Sequence, residues 1–267
     1  MELWWPTFSL APESIDFMSE QEFGLRYCGA RLNSYGRFEF RGASRVEELR
    51  QKLTLFFMHI VREEQLSHPE RRRRIIFLPD SRPVEIRNWS RDNLSRVSFT
   101  DFIGEDDCSG ELATLRRMIG LAKSPNAAKF IRERLAVGER ILAFFWHREV
   151  GDELKRLLAH DEIICGNTPN AERVAQFDEF QAGYRQLILG NVQAMGRGVN
   201  LQNASRVIFV EFSWTDETNK QAEKRASRRG NNAEFVPCDY LAMPNSLDEI
   251  VLQVLFKKQS LVDRTIR

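Results

Sequence analysis

The stretch from Gln186 to Trp214, QLILGNVQAMGRGVNLQNASRVIFVEFSW, runs from one apolar segment through two closely spaced glycines into a second. Gln186 to Val192 and Val207 to Phe212 have the length and the aliphatic continuity of strands buried on both faces. Between them stand Gly196 and Gly198. Glycines so placed after a parallel strand permit a tight turn and a close approach of backbone amides to an anion. Such pairs are also ordinary turn punctuation, and both readings stand at this point. Downstream, residues 221–231 read QAEKRASRRGN. On a helix, Gln221, Arg225 and Arg228 fall at i, i+4 and i+7, which sets one amide and two guanidiniums along one face. Glu223, Lys224 and Arg229 are then directed elsewhere, and Gly230 marks the helix end. That face suits a phosphate, because a guanidinium donates bidentate hydrogen bonds and keeps its charge. A solvated basic helix is the alternative.

Outward from this stretch, strand and helix alternate. Ile141 to Trp146 is a continuous apolar run, Glu149 to Ala159 an amphipathic helix, and Glu162 to Cys165 a short strand. Thr168 to Gln181 reads as a helix with Thr168 as N-cap and Pro169 at the first helical position. Glu234 to Pro237 is a further strand, and Ser246 to Lys258 a closing helix. The alternation predicts an α/β fold, a parallel sheet flanked by helices, preceded by a mainly helical N-terminal segment. Ligands of such sheets bind beyond the carboxyl ends of the strands, and Gln221 to Arg228 follows a strand by a few residues.

The upstream part is more helical. Val46 to Arg62 reads as a helix with Ser44 as N-cap and Glu47 as its capping-box partner. Arg71 to Arg74 reads as a solvated turn, with phosphate-backbone contact as the alternative, and Ile75 to Leu78 as a short strand closed by Pro79. Residues 81–110, with the acidic Glu105-Asp106-Asp107, read as a connection. Two helices, Glu111 to Lys123 and Asn126 to Leu135, are expected to break at Ser124-Pro125.

A chain of 267 residues with 42% hydrophobic content can bury a sizeable core, and its formal net charge of +1 excludes a global basic field. Nucleic-acid binding would have to come from local patches. Cys28, Cys108, Cys165 and Cys238 are too far apart for a zinc or redox motif; Cys165 and Cys238 sit beside apolar strand-like runs, which reads as buried free thiols in a reducing cytosol. No apolar run reaches membrane-span length, and Glu2 stands where a signal peptide would be basic, so a cytoplasmic or nucleoid-associated protein, not a secreted one, is expected.

Several segments carry a family resemblance. GERILAFFWHREV resembles the motif IV strand of superfamily-two helicases of the SWI/SNF type, and IICGNTPNAERVAQFDEFQ the strand and helix that follow it. QAMGRGVNLQNASRVIFVEFSW is similar to motif V with its downstream tryptophan, and QAEKRASRRGN to motif VI, Gln-Ala-Glu-Asp-Arg-x-x-Arg-x-Gly-Gln. ELATLRRMIGLAKSPNAAKFI resembles the run ahead of that lobe, and FGLRYC with RGAS the annealing-helicase branch. The resemblance implies a second RecA-like lobe over 111–267, a connecting segment over 81–110, and over 1–80 a remnant of the first lobe with a helical insertion. It implies that Arg225 and Arg228 are presented to the γ-phosphate of ATP and that Gln221 helps hold them and the nucleotide. Gly196, Gly198 and Asn200 would couple the nucleotide cleft to the DNA track, with Arg197, Trp214 and Thr168 as DNA contacts. Asn231, Lys224 and Ser227 depart from the family's Gln, Asp and His, and IVREEQL from its Arg-Arg-x-Lys run.

A phosphate-gripping Gly-x-x-x-x-Gly-Lys-Ser/Thr loop is missing; at the nearest match, Lys123-Ser124, Ala122 and Arg117 stand where glycines are needed. Asp161-Glu162 precedes its strand and Asp178-Glu179 lies in a helix, so neither is the family's magnesium-binding acidic pair. MELWWP resembles the family's sequence just after motif III. The chain is therefore expected to be the C-terminal half of a DNA-dependent ATPase, using ATP with Mg²⁺ only alongside a protein that supplies the nucleotide-loop lobe. The rival expectation is a non-catalytic module that binds DNA or occupies a helicase as an inhibitor.

Overall fold

The computed structural model describes residues 3–33, 36–40, 42–56, 68–93, 111–195, 200–253 and 255. It divides into two units, Met1–Leu66 and Ser67–Arg267. The smaller carries α1 (Trp4–Leu10), a 3-10 turn (Pro12–Ile15), α2 (Glu20–Tyr27), the antiparallel pair β1 (Arg31–Leu32) and β2 (Phe38–Glu39), and α3 (Val46–Phe56). Ile15, Phe23, Tyr27 and Cys28 form its core. The capping box belongs to α2: Ser19 N–H donates to Glu22 Oε2 at 2.8 Å, and Glu22 N–H to Ser19 Oγ at 3.3 Å. Ser44, the expected cap of α3, instead donates its hydroxyl to Arg26 O and accepts from Gly29 N–H, so tertiary partners take the oxygen a cap would use.

In the larger unit, β3 (Glu70–Phe77) is followed by α4 (Val84–Asn93), α5 (Glu111–Ala136), β4 (Ile141–Phe145), α6 (Arg148–Leu158), α7 (Asn170–Ala182), β5 (Leu187–Asn191), β6 (Arg206–Phe209), α8 (Asp216–Glu223) and β7 (Phe235–Ala242). Residues 247–253 are helical. The sheet order is β3-β7-β6-β4-β5, and every pairing is parallel. The two-residue period of the strands sorts their side chains between two cores. Leu142, Phe144, Ile188, Val207, Phe209 and Tyr240 face one, and Ile141, Ala143, Phe145, Leu189, Ile208 and Leu241 the other. Gly151 of α6 lets Phe145 approach: a Cβ there would lie 2.5 Å from Phe145 Cζ, and Phe145 is fully buried. Overpacking costs about 1–3 kcal/mol and helix propensity returns up to ~1 for alanine. Gly151→Ala is therefore expected to lower stability in urea unfolding by on the order of 1 kcal/mol.

Four expectations change here. The basic run is no turn: Arg71 to Arg74 form half of β3, which extends the sheet at its edge and places residues 70–77 with the larger unit. The side chains are held by carboxylates on both faces of the strand, a match made across some 150 positions of sequence that local composition does not display. The stretch 81–110 contains α4, and its residues 94–110, with the acidic cluster and Cys108, lie outside the described residues. Ser124-Pro125 does not break α5, a single helix of 26 residues. Ala127, Ala128 and Ile131 just beyond the proline are completely buried against the sheet, and that packing offsets proline's cost of about 3 kcal/mol. The strand expected at Glu162 to Cys165 is reduced to one bridge, Ile164 with Gly190. Cys165 and Cys238 are buried thiols as read, and burial raises the pKa of both.

Candidate functional site: the arginine turn after α8

α8 ends at Glu223, so the helical face expected to carry Gln221, Arg225 and Arg228 together does not form. Residues 224–228 are a compact turn, in which Arg225 N–H bonds Ala222 O, Ala226 N–H bonds Glu223 O, and Arg228 N–H bonds Ala226 O. Within the turn Ser227 N–H keeps one i to i−4 bond, to Glu223 O, and partners outside the turn bind its other groups. Ser227 Oγ donates to Pro69 O, and Leu201 N–H donates to Arg225 O at 3.0 Å. Gly230, at φ +101°, closes the turn in a conformation that disfavours a side chain. Asn231 Nδ2 then donates to Ala204 O and Ala226 O.

The turn still brings the two arginines together. Arg225 is 7% exposed, and its pKa lies below the usual guanidinium value, first through burial and second through the positive charge of Arg228. Arg228 is half-buried, and among the described residues its guanidinium makes one hydrogen bond, to Asn200 Oδ1. Asn200 follows the Gly196–Gly198 stretch, so the residues read as motifs V and VI meet side chain to side chain. Two like charges in one place, one half-open to solvent, form a donor set matched to a phosphate. Gln221 is not part of it: exposed on α8, it donates to Glu217 one turn back.

The site's place in the sheet also differs from expectation. α8 starts beyond the carboxyl end of β6 and runs back along the sheet, and its eight residues span about 12 Å at 1.5 Å per residue. The turn therefore emerges at the amino edge, where Ser227 reaches Pro69 just ahead of β3 and Asn231 reaches Ala204 just ahead of β6. Residues 125–230, from within α5 to the end of the turn, match the family described as helicase conserved C-terminal domain. The DNA annealing helicase and endonuclease ZRANB3 of Bos taurus is 26% identical over 278 residues, covering 99% of this chain and 26% of that protein. The SWI/SNF-related matrix-associated actin-dependent regulator of chromatin subfamily A-like protein 1 of Drosophila melanogaster is 25% identical over 255 residues, covering 93% of this chain and 34% of that protein. In fold, the C-terminal part of the Fun30 ATPase domain matches with a TM-score of 0.51 at 15% identity, over 70% of this chain and 89% of that one. The larger unit has a RecA-like fold and carries the match to the helicase conserved C-terminal domain. The chain spans about a quarter to a third of the length of these two curated relatives.

The fold assigns the remaining candidate residues differently. Trp214 is 2% exposed within the core, with the Arg116 guanidinium 5.2 Å from its ring, so its indole packs the fold and presents no face to DNA. Thr168 is not the cap of α7, which starts behind Pro169; its Oγ1 accepts from Cys165 N–H at 2.9 Å and ties the loop to the sheet. Gly196, Arg197 and Gly198 lie outside the described residues. At the carboxyl edge, Glu211 is 2% exposed and accepts from Trp146 N–H, His147 N–H and His147 Nδ1 at 2.7–2.9 Å. Burial alone would raise its pKa; the bonds and charge of His147 and the charge of Arg116 outweigh burial and hold it below the ordinary value.

His160, beyond α6, contrasts with this. Burial first, and the charge of Arg185 second, lower its pKa to about 4; Arg185 Nη1 stands 3.5 Å from its Nε2. A depressed folded-state value means that the unfolded chain takes up the proton first. The contribution of His160 to stability is thus complete above its ordinary value of 6.5 and is lost as pH falls toward about 4. Thermal melts of His160→Gln should be flatter than those of the parent chain between about pH 6.5 and 5, above the range where carboxylates titrate.

Proposed function

We propose that this lobe supplies Arg225 and Arg228 to the γ-phosphate of ATP held by an N-terminal helicase lobe, on the same polypeptide or another, and grips the DNA backbone. The enzyme so formed would translocate on duplex or forked DNA and reanneal strands. The observation that carries the reading is the pairing of Arg225 with Arg228, the latter anchored on Asn200 at the junction of the two motif segments. The similarity to a relative named as a DNA annealing helicase supports the choice of branch.

ATP with Mg²⁺, when bound, supplies the phosphoryl bond whose cleavage drives the cycle, and the donor set of the turn fits its terminal phosphate. Arg228, the more open of the two, donates to the phosphoryl oxygens. Arg225 adds positive potential from a drier position, where charge acts more strongly than in water. Asn200 fixes the orientation of the Arg228 fork and links the phosphate to the motif V segment. Closure of the two lobes is then the step that presents the arginines, and reopening follows loss of the phosphate.

The test is DNA-stimulated ATP hydrolysis by the chain joined to an N-terminal lobe, with and without Arg228→Ala. Turnover that needs both lobes and fails in the variant supports the reading, and turnover that survives the substitution overturns it. DNA binding by this chain alone should be weak and fall steeply with salt, since it rests on phosphate contacts. Salt-dependent binding without hydrolysis in the two-lobed protein would leave the non-catalytic module.

A further inference from the structure

The edge strand β3 and the arginine turn are joined by a buried ion cluster that the resemblance does not assign. Asp216 and Glu223, the first and last residues of α8, lie seven positions apart and so on one face of the helix. Arg73 reaches both: Nη1 to Asp216 Oδ1 at 2.7 Å, Nε to Glu223 Oε1 at 2.6 Å and Nη2 to Glu223 Oε2 at 3.2 Å. Tyr240 of β7 donates its hydroxyl to Glu223 Oε1 at 2.7 Å, and Arg71 Nη1 stands 3.6 Å from Glu223 Oε2. The side chains of Arg73 and Glu223 are 9% and 1% exposed. Burial opposes the charge of Arg73, and Tyr240, Glu223 and Asp216 together outweigh it, raising its pKa.

Glu223 is also where helix becomes turn. Its carbonyl accepts from Ala226 N–H and Ser227 N–H, and Ser227 Oγ donates to the carbonyl of Pro69, the residue before β3. One strand thus grips the turn from two sides, by the Arg73 fork on the carboxylate and by a backbone carbonyl on the hydroxyl.

We propose that Arg73 is a positioning residue for Arg225 and Arg228, setting the angle at which the turn presents them through Glu223. The inference rests on the proposed role of those arginines. Its measurement uses the chain joined to its N-terminal lobe. Arg73→Lys keeps a charge opposite Glu223, but one ammonium does not span Asp216 and Glu223 together. An arginine that acts in the transition state affects kcat rather than ground-state binding. For Arg73→Lys the expected result is a roughly tenfold or greater fall in kcat, with KM for ATP within about twofold.

Should that variant not fold, Arg73→Met with Glu223→Gln removes both charges, leaves Tyr240 an acceptor and Asp216 its pair with Lys220, and should show the same split, as should Arg73→Met with Glu223→Met, the double methionine variant. Arg72→Lys serves as the control, since Arg72 points to the other face, toward Glu70, Glu234 and the Phe235 ring. Its kcat should match that of the parent. Parental kcat in a folded Arg73→Lys or in the double methionine variant, with Arg228→Ala inactive, overturns the positioning role and leaves the function standing. Equal changes in kcat and KM overturn it as well, by showing a general loss of fold. An active Arg228→Ala removes the premise for both.

Discussion

Replacement of Arg228 by alanine is expected to lower DNA-stimulated turnover of the two-lobed protein by roughly three to five orders of magnitude, the range for loss of an arginine acting on a transferring phosphoryl group. The melting temperature should not fall with it. Among the described residues Arg228 makes a single hydrogen bond, to Asn200, and its charge lowers the pKa of Arg225, so alanine relieves a repulsion. Large kinetic loss without loss of stability separates a group aimed at a ligand from one that holds the fold. Arg228→Lys should recover only a small part of the rate, because the ammonium keeps the charge and loses the planar fork. Steady-state hydrolysis and a thermal melt on the same preparation read both halves of the result.

Replacement of Asp239 by alanine should do the opposite and cost stability. Asp239 is completely buried in β7 between two arginines of flanking strands. Arg74 of β3 donates to it through Nε and Nη2 at 2.8 and 3.0 Å, and Arg206 of β6 through Nη1 at 2.6 Å. Without the carboxylate, Arg206, whose side chain is 8% exposed, keeps only the Glu139 side of its pairing, and the edge strand loses a side-chain tie to its neighbour. Breaking a buried pair from one side costs about 3–5 kcal/mol, which for a unit of this size lowers the melting temperature by on the order of 10 °C. Asp239→Asn keeps an acceptor and should fall between. A loss below about 1 kcal/mol in urea unfolding would show the pair to be effectively solvated.

These two sites were unequally visible in the sequence. Arg228 is singled out by a resemblance spread over neighbouring motifs, while the helical spacing that was to set it beside Arg225 does not form and its partner Asn200 lies 28 positions away. Asp239 and Arg73 are not, because each is explained by a residue on another element. The basic run Arg71 to Arg74 looks like a solvated turn until Glu223 and Asp239 are set against its two faces. The alternation of an edge strand was present in those residues, but arginines at every position conceal a period of two. Trp214 shows the converse, since an aromatic after a strand reads alike whether it faces DNA or the core, and only burial separates the two.

What the sequence determined by itself was the kind of fold and the order of its parts. Unbroken aliphatic runs alternating with amphipathic segments admit few arrangements other than a covered parallel sheet, because each apolar face must find another. The tertiary structure alone decided where chemistry is presented. α8 stops at Glu223, and the turn that carries Arg225 and Arg228 is fixed at the amino edge of the sheet by contacts from Arg73, Tyr240, Pro69 and Leu201. Competition of that kind among distant donors and acceptors leaves no trace in local propensity.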